Sequence, residues 1–354
     1  MEDLLLQILE LIMKEKRWLM LQNVIILLLS LGIILLGCEL FTNGIEWLGK
    51  KLNLGDGVVG SIFSAVGTCL PETLIPIIAL LFSNDQINSV DIGIGAIAGA
   101  PFMLATLAFF ITGFSVIIFA DRRKTKYKIN VNLDVLSRDI SFFVIVYISA
   151  ILASFITLGI VKNAVAILLI ASYIYYVVKT VNNDQVSNEE VDELLFAKIF
   201  NSKTSILIIT FQIVLALCAI IIGAELFVSN IEVVSKALKV STLVLSIIIT
   251  PIATELPEKF NSIIWISKSK DTLSLGNITG AMVFQSCIPV SIGILATDWS
   301  LDIVTLVSAF LALASSLVTF IWIKKRKCLN PVPLLSGGLF YAAFICFLIL
   351  RGFN

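Results

Sequence analysis

Histidine does not occur anywhere in the 354 residues. Its absence removes Ser-His and Cys-His nucleophiles, imidazole metal ligands and histidine pH switching together. Charge is scarce as well: Asp, Glu, Lys and Arg make up 14% of the chain, against about 25% in an ordinary soluble domain. The six cysteines, Cys38, Cys69, Cys218, Cys287, Cys328 and Cys346, never form a C-x-x-C pair, which argues against a disulfide framework or a thiolate metal cluster. Lys plus Arg and Asp plus Glu balance at 25 each, so no net charge draws the chain to nucleic acid. Apolar residues, in contrast, reach 58%. A bilayer core of about 30 Å is crossed by about 20 apolar residues of helix, and the apolar runs supply about ten such segments. The expected class is all-α, a polytopic membrane protein of about ten transmembrane helices.

Read against their breakers, the apolar runs predict spans at 20–48, 57–82, 92–119, 140–158, 161–180, 204–235, 240–267, 273–296, 301–322 and 333–351. Residues 1–19 alternate acids with a Leu/Ile face and include Lys14, Lys16 and Arg17, a pattern expected of a short interfacial helix. The expected organisation is that helix, a first repeat over 20–180, an acidic cytoplasmic loop over 181–203 and a second repeat over 204–354. Basic residues outside the spans divide seventeen to seven between the two sides. The rich side is led by Arg122, Arg123, Lys124, Lys126, Lys128 and Arg138, then Lys324, Lys325, Arg326 and Lys327. Positive residues stay in the cytoplasm, so both termini are expected outside it, in a prokaryotic cell membrane. The basic cluster 122–128 reads as a topology determinant and a contact for anionic lipid.

The chain matches itself at one offset, 186 residues. Gly37, Glu39, Leu40 and Phe41 fall on Gly223, Glu225, Leu226 and Phe227, while Thr68, Leu70, Pro71 and Glu72 fall on Thr254, Leu256, Pro257 and Glu258. Five spans lie within the offset. Since five is odd, the second copy crosses the membrane in the opposite sense, and two inverted-topology repeats of five are the architecture of secondary transporters.

Proline within a helix strips the carbonyl four residues back of its partner, here Gly67 and Ala253. Thr68 precedes Glu72 by four residues and Thr254 precedes Glu258 by four, so each hydroxyl shares a helix face with a carboxylate. A charged residue at mid-bilayer is unfavourable by about 2.5–3.5 kcal/mol. Two such carboxylates call for a cation, and with hydroxyls and carbonyls they make an all-oxygen cage suited to a hard divalent ion such as Ca2+.

Gly67-Thr68-Cys69-Leu70-Pro71-Glu72 and Ala253-Thr254-Glu255-Leu256-Pro257-Glu258 resemble the paired G-T-S-x-P-E motifs of the cation/calcium exchanger superfamily, which includes the sodium/calcium exchangers. Gly276-Asn277-Ile278-Thr279-Gly280-Ala281, with Phe284 and Gln285, is similar to the G-N-x-x-G-S-N-x-F-N stretch of the same superfamily. Gly95-Ala96-Ile97-Ala98-Gly99-Ala100-Pro101 resembles a degraded first copy. The resemblance implies alternating access at a central site where Glu72 and Glu258 bind Ca2+ in competition with a counter-transported cation, with Asn277 and Gln285 beside them. It implies no cofactor, only inorganic cations and the lipid bilayer as partners, Ca2+ moving against Na+ or H+. Where the superfamily carries serine beside Pro-Glu, this chain has Cys69 and Glu255. Those positions help to build the family's Na+ sites, which leaves three-sodium coupling open.

Glu255 stands four residues before Lys259, the favourable order for a helical ion pair. They are expected to pair, with Lys259 standing in for a mobile counter-ion; the alternative has Lys259 snorkelling away. Glu39 and Glu225 read either as lining an ion path or as reaching an interface together with Glu46 and Glu232. The expected function is secondary cation antiport, not enzymatic catalysis. A cation channel or uniporter on the same scaffold is the nearer rival. An intramembrane aspartyl protease using Asp56 with Asp91 or Asp302 is a remote one, because all three lie at span ends.

Overall fold

The computed structural model describes residues 2–69, 73, 94, 97, 99–183, 191–237 and 255–351. Helix α1 runs Glu2–Leu52 without interruption, so the first residues continue the first long helix instead of forming a separate interfacial one. A second rod begins as α2 (Asp56–Val58), loosens into a π-helical stretch at Val59–Ser64 and closes as α3 (Ala65–Thr68). Then come α4 (Gly99–Ile118), with a π-helical stretch at Leu104–Ala108, α5 (Leu133–Ala153), α6 (Gly159–Asn183) and the short α7 (Leu195–Ile199). They are followed by α8 (Ile206–Ala237), α9 (Leu256–Ser267), α10 (Asp271–Ala296), α11 (Ile303–Arg326) and α12 (Pro331–Arg351). Among the described residues, eight helices are long and apolar enough to cross a membrane. The only pairing of extended chain among the described residues is Ile129 with Leu329.

Local sequence sets the ends. Asn132 caps α5 by accepting from Asp134 N and Val135 N at 3.1 and 3.2 Å, satisfying amides that a helix start leaves open. That cap starts the helix at Leu133, seven residues before the span predicted at 140, and draws Arg138 and Asp139 inside it. Asp302 caps α11 through Thr305 N at 2.9 Å, and its last turn gathers Lys324, Lys325 and Arg326 where the helix dipole favours cations.

The solvent pattern of a soluble protein is reversed. Leu36, Ile160, Leu168, Phe310 and Leu350 are bare, while Ser61, Ser64, Thr68, Asn277, Thr279, Ser315 and Thr319 are buried. Lipid covers the first set, and the second must find partners inside. Helix α10 is buried along nearly its whole length and is the axis of the bundle. It lies against the second rod so closely that a Cβ on Gly280 would stand 2.1 Å from Ser61 O.

Helices α1 and α8 cross antiparallel. A Cβ on Gly37 would meet Ile220 Cγ1 at 2.9 Å, and one on Gly223 would meet Ile34 Cγ1 at 2.9 Å. Gly37 and Gly223, and likewise Ile34 and Ile220, differ by the 186-residue offset. The contact is thus reciprocal between positions one offset apart, the pattern that a two-fold relation produces.

The connections sort to two ends. At one, Trp47 Nε1 donates to Asp192 O at 2.8 Å, and Lys268 Nζ reaches Asp192 Oδ2 at 3.2 Å. Arg123 donates to Ile266 O at 2.6 Å and pairs with Asp271 at 2.8 Å. The Ile129–Leu329 pairing joins the last connection. Arg123 is fully buried, so within the cluster 122–128 it is an internal tie and not a lipid contact. At the other end Lys162 Nζ donates to Asp298 O, and Trp299 Nε1 donates to Ala150 O at 3.0 Å.

Candidate cation site

Among the described residues, a helix boundary stands beside each Pro-Glu motif. Helix α3 stops at Thr68 with Cys69 as its cap, and α9 starts after Glu255. Cys69 and Glu255 are 186 residues apart, so the two boundaries are in register. The backbone bridges them alike, Thr73 N donating to Cys69 O at 3.1 Å and Lys259 N to Glu255 O at 3.4 Å. Pro257 lies in the first turn of α9, where its missing N–H leaves no bond unmade.

Glu258 follows in that first turn and is fully buried. Unbonded amides at a helix start favour a negative group. Across from it, Asn277 on α10 ties three elements together. Its Oδ1 accepts from Ser64 Oγ at 2.7 Å and Thr68 Oγ1 at 3.3 Å, and its Nδ2 donates to Glu258 O at 3.5 Å. All four residues are buried. Hydroxyls of the second rod, the amide of Asn277 on α10 and the Glu258 carbonyl of α9 therefore meet in the protein interior, with Cys38 Sγ 3.9 Å from Pro257 O beside them.

The other expected residues fall around this group or away from it. Gly67 sits in the last turn of α3, where a Cβ would meet Phe41 Cζ at 2.8 Å. Gln285 Nε2 donates to Cys69 Sγ at 3.4 Å. Glu255 is held by Lys259 at 2.9 Å, both buried. Glu39 stands outside the group, half exposed and 3.5 Å from Lys268. Glu225 is exposed on α8. Glu46 is buried at the end of α1, accepting from Trp265 Nε1 at 2.8 Å and from Lys270. Glu72, Ala253, Thr254 and Glu232's side chain lie outside the described residues.

Three features escaped the sequence reading. Ser64, one turn before Thr68, makes the shorter of the two bonds to Asn277. Ser61 lies one turn earlier still and donates to Asp139 Oδ2 at 2.6 Å. Asp139 is fully buried and also accepts from Thr279 Oγ1 at 2.9 Å, Tyr176 OH at 2.9 Å and Arg138 Nη2 at 2.8 Å. One carboxylate thus ties the second rod, α5, α6 and α10. The signal for Ser61 and Ser64 was a polar stripe at three- and four-residue spacing ahead of Thr68.

The family model described as sodium/calcium exchanger protein matches residues 22–181 and 208–353. The chain belongs to that family. The two matched stretches of the exchanger begin 186 residues apart, the offset found in its own sequence. An uncharacterized membrane protein of Methanocaldococcus jannaschii is 24% identical over 255 residues, 72% of the exchanger and 76% of that protein. The sodium-calcium exchanger NCX_Mj, soaked with 2.5 mM Na+ and 10 mM Sr2+, shares the fold: TM-score 0.73 at 21% identity, covering 92% of this chain and 99% of that one. The same protein soaked with 10 mM Na+ and zero Ca2+ gives 0.71, again at 21% identity, covering 92% and 99%. As a member of its family the exchanger is a multi-pass membrane protein that acts on inorganic cations by antiport, and it is not an enzyme.

Proposed function

We propose that this exchanger moves Ca2+, or a similar hard divalent cation, against Na+ or H+ by alternating access at a central site whose charge comes from Glu72 and Glu258. The observation that carries this reading is that α3 ends at Cys69 and α9 begins after Glu255, positions one 186-residue offset apart, with Glu258 buried and its backbone carbonyl joined through Asn277 to Ser64 and Thr68. Hard cations take oxygen ligands at variable number, and carboxylate, amide and hydroxyl oxygens are that donor set. Two negative charges in a low dielectric fit a dication or two monovalent cations, which makes the two cargoes exclusive and couples them. The 186-residue offset, the reciprocal Gly37 and Gly223 contacts and the two family matches support two inverted repeats. The basic cluster at the end that carries Arg122, Lys124 and Lys327 supports that end as cytoplasmic, with both termini outside, in a prokaryotic cell membrane.

The test is Ca2+ uptake by proteoliposomes with imposed Na+ or pH gradients. Exchange predicts uptake only when Na+ or H+ is supplied on the opposite side. Uptake down a Ca2+ gradient alone, with no counter-cation, would point to the channel or uniporter instead.

A further inference from the structure

Glu255 and Lys259 form an ion pair inside the protein, Nζ to Oε2 2.9 Å, with side chains 2% and 3% exposed. Lys259 Nζ also lies 3.4 Å from Glu255 O, so the ammonium folds back onto the helix start and does not snorkel. Glu255 is the residue just before α9, and Glu258 lies in its first turn. Three ionisable side chains therefore crowd one helix start beside Asn277. The first half holds Cys69 and Thr73 at the corresponding positions, both neutral and both buried.

A buried carboxylate needs a proton or a cation, and here the cation is part of the same helix. Resting on the antiport reading above, we infer that Lys259 is a built-in counter-ion. It neutralises Glu255 throughout the cycle, so that Glu255 takes no mobile cation from solution and each half presents a single net negative charge, Glu72 in the first and Glu258 in the second. The monovalent cations coupled to each divalent are then fewer than three unpaired carboxylates would require. Lysine suits this role, since its compact point charge is the size of a small hydrated cation's contact and its stem is long enough to reach back four residues.

The experiment compares wild type, K259M and the double variant E255Q/K259M in detergent, melting each in NaCl and in choline chloride at equal ionic strength. K259M leaves Glu255 to recruit a mobile cation, so Na+ should raise its melting temperature by about 3 °C more than it raises that of wild type. E255Q/K259M, with neither charge, should return to the wild-type response. An equal Na+ response in wild type and K259M, or an enlarged response kept by the double variant, overturns the inference. Should K259M not fold, E255Q decides: it leaves an ammonium uncompensated on the residue next to Glu258, so the Ca2+ concentration for half-maximal uptake should rise at least tenfold and recover in E255Q/K259M. No rise, or no recovery, overturns the inference too. If wild-type protein moves no divalent cation, the antiport reading fails, while the melting comparison still reads the pair.

Discussion

Gly280 lies against the backbone of Ser61, where a Cβ would stand 2.1 Å from Ser61 O. Ser61 and Gly280 belong to the two elements that carry Ser64, Thr68 and Asn277, so this contact sets the distance across which the site is built. Gly280→Ala should push the second rod away from α10 and destabilise the protein by about 1–3 kcal/mol, read as a lower melting temperature in detergent. Gly159→Ala, where nothing lies within 4 Å, should stay within about 0.5 kcal/mol of wild type.

Asp139 should prove a structural anchor. Asp139→Asn removes the charge that compensates Arg138 and mismatches donors from Ser61, Tyr176 and Thr279. Breaking one partner of a buried pair costs about 3–5 kcal/mol, and Tyr176→Phe should cost about 1 kcal/mol. Denaturant midpoints of purified protein check both, and a wild-type midpoint for Asp139→Asn would contradict the assignment.

The class of the fold was legible because long apolar runs leave a mark that survives in a single line of residues. The Pro-Glu motifs recur at 186 residues, and the described helix boundaries beside them fall at Cys69 and Glu255. Asn277 was legible only through resemblance, since nothing in α10 alone says that it faces Glu258. Asp139 was hidden by a boundary: with the span taken to start at 140, the acid read as part of a loop, and the Asn132 cap that moves the start to Leu133 is a local hydrogen-bond event without hydropathy signal. The Arg123–Asp271 tie joins residues 148 apart, and only the folded chain brings such positions together.

Lys268 lies outside the spans, at the end where the connections meet. Burial alone would lower its pKa, yet Glu39, Asp192 and Glu46 outweigh it and hold the ammonium above its ordinary value of 10.5. A raised pKa in the folded state gives stability that is complete below the ordinary value and is lost as pH rises through the folded one. The contribution of Lys268 to thermal stability should therefore be complete and constant around neutral pH and be lost with its deprotonation above pH 10.5. Lys268→Met should remove that alkaline step, and high salt should shrink it because the group is partly exposed.

Cysteine labelling tests the arrangement of ends. Single cysteines replacing Arg122 and Lys327 in a cysteine-free background should react with an impermeant maleimide from the same side, the cytoplasm, because Ile129 and Leu329 pair next to them. One replacing Asp298, which meets Lys162 at the opposite end, should react only from outside. Labelling of all three from one side would contradict the topology.

Glu258 is buried at the start of α9, where Asn277 reaches its backbone, and it is the charge on which the proposed site depends. The most direct measurement is radioactive Ca2+ uptake into Na+-loaded or pH-jumped proteoliposomes by wild type and Glu258→Gln, with insertion verified by the same melting transition. Loss of one of two carboxylates leaves a dication half neutralised in low dielectric, so uptake should fall at least a hundredfold, about 3 kcal/mol. Substantial counter-cation-driven Ca2+ uptake by Glu258→Gln would contradict the two-glutamate site.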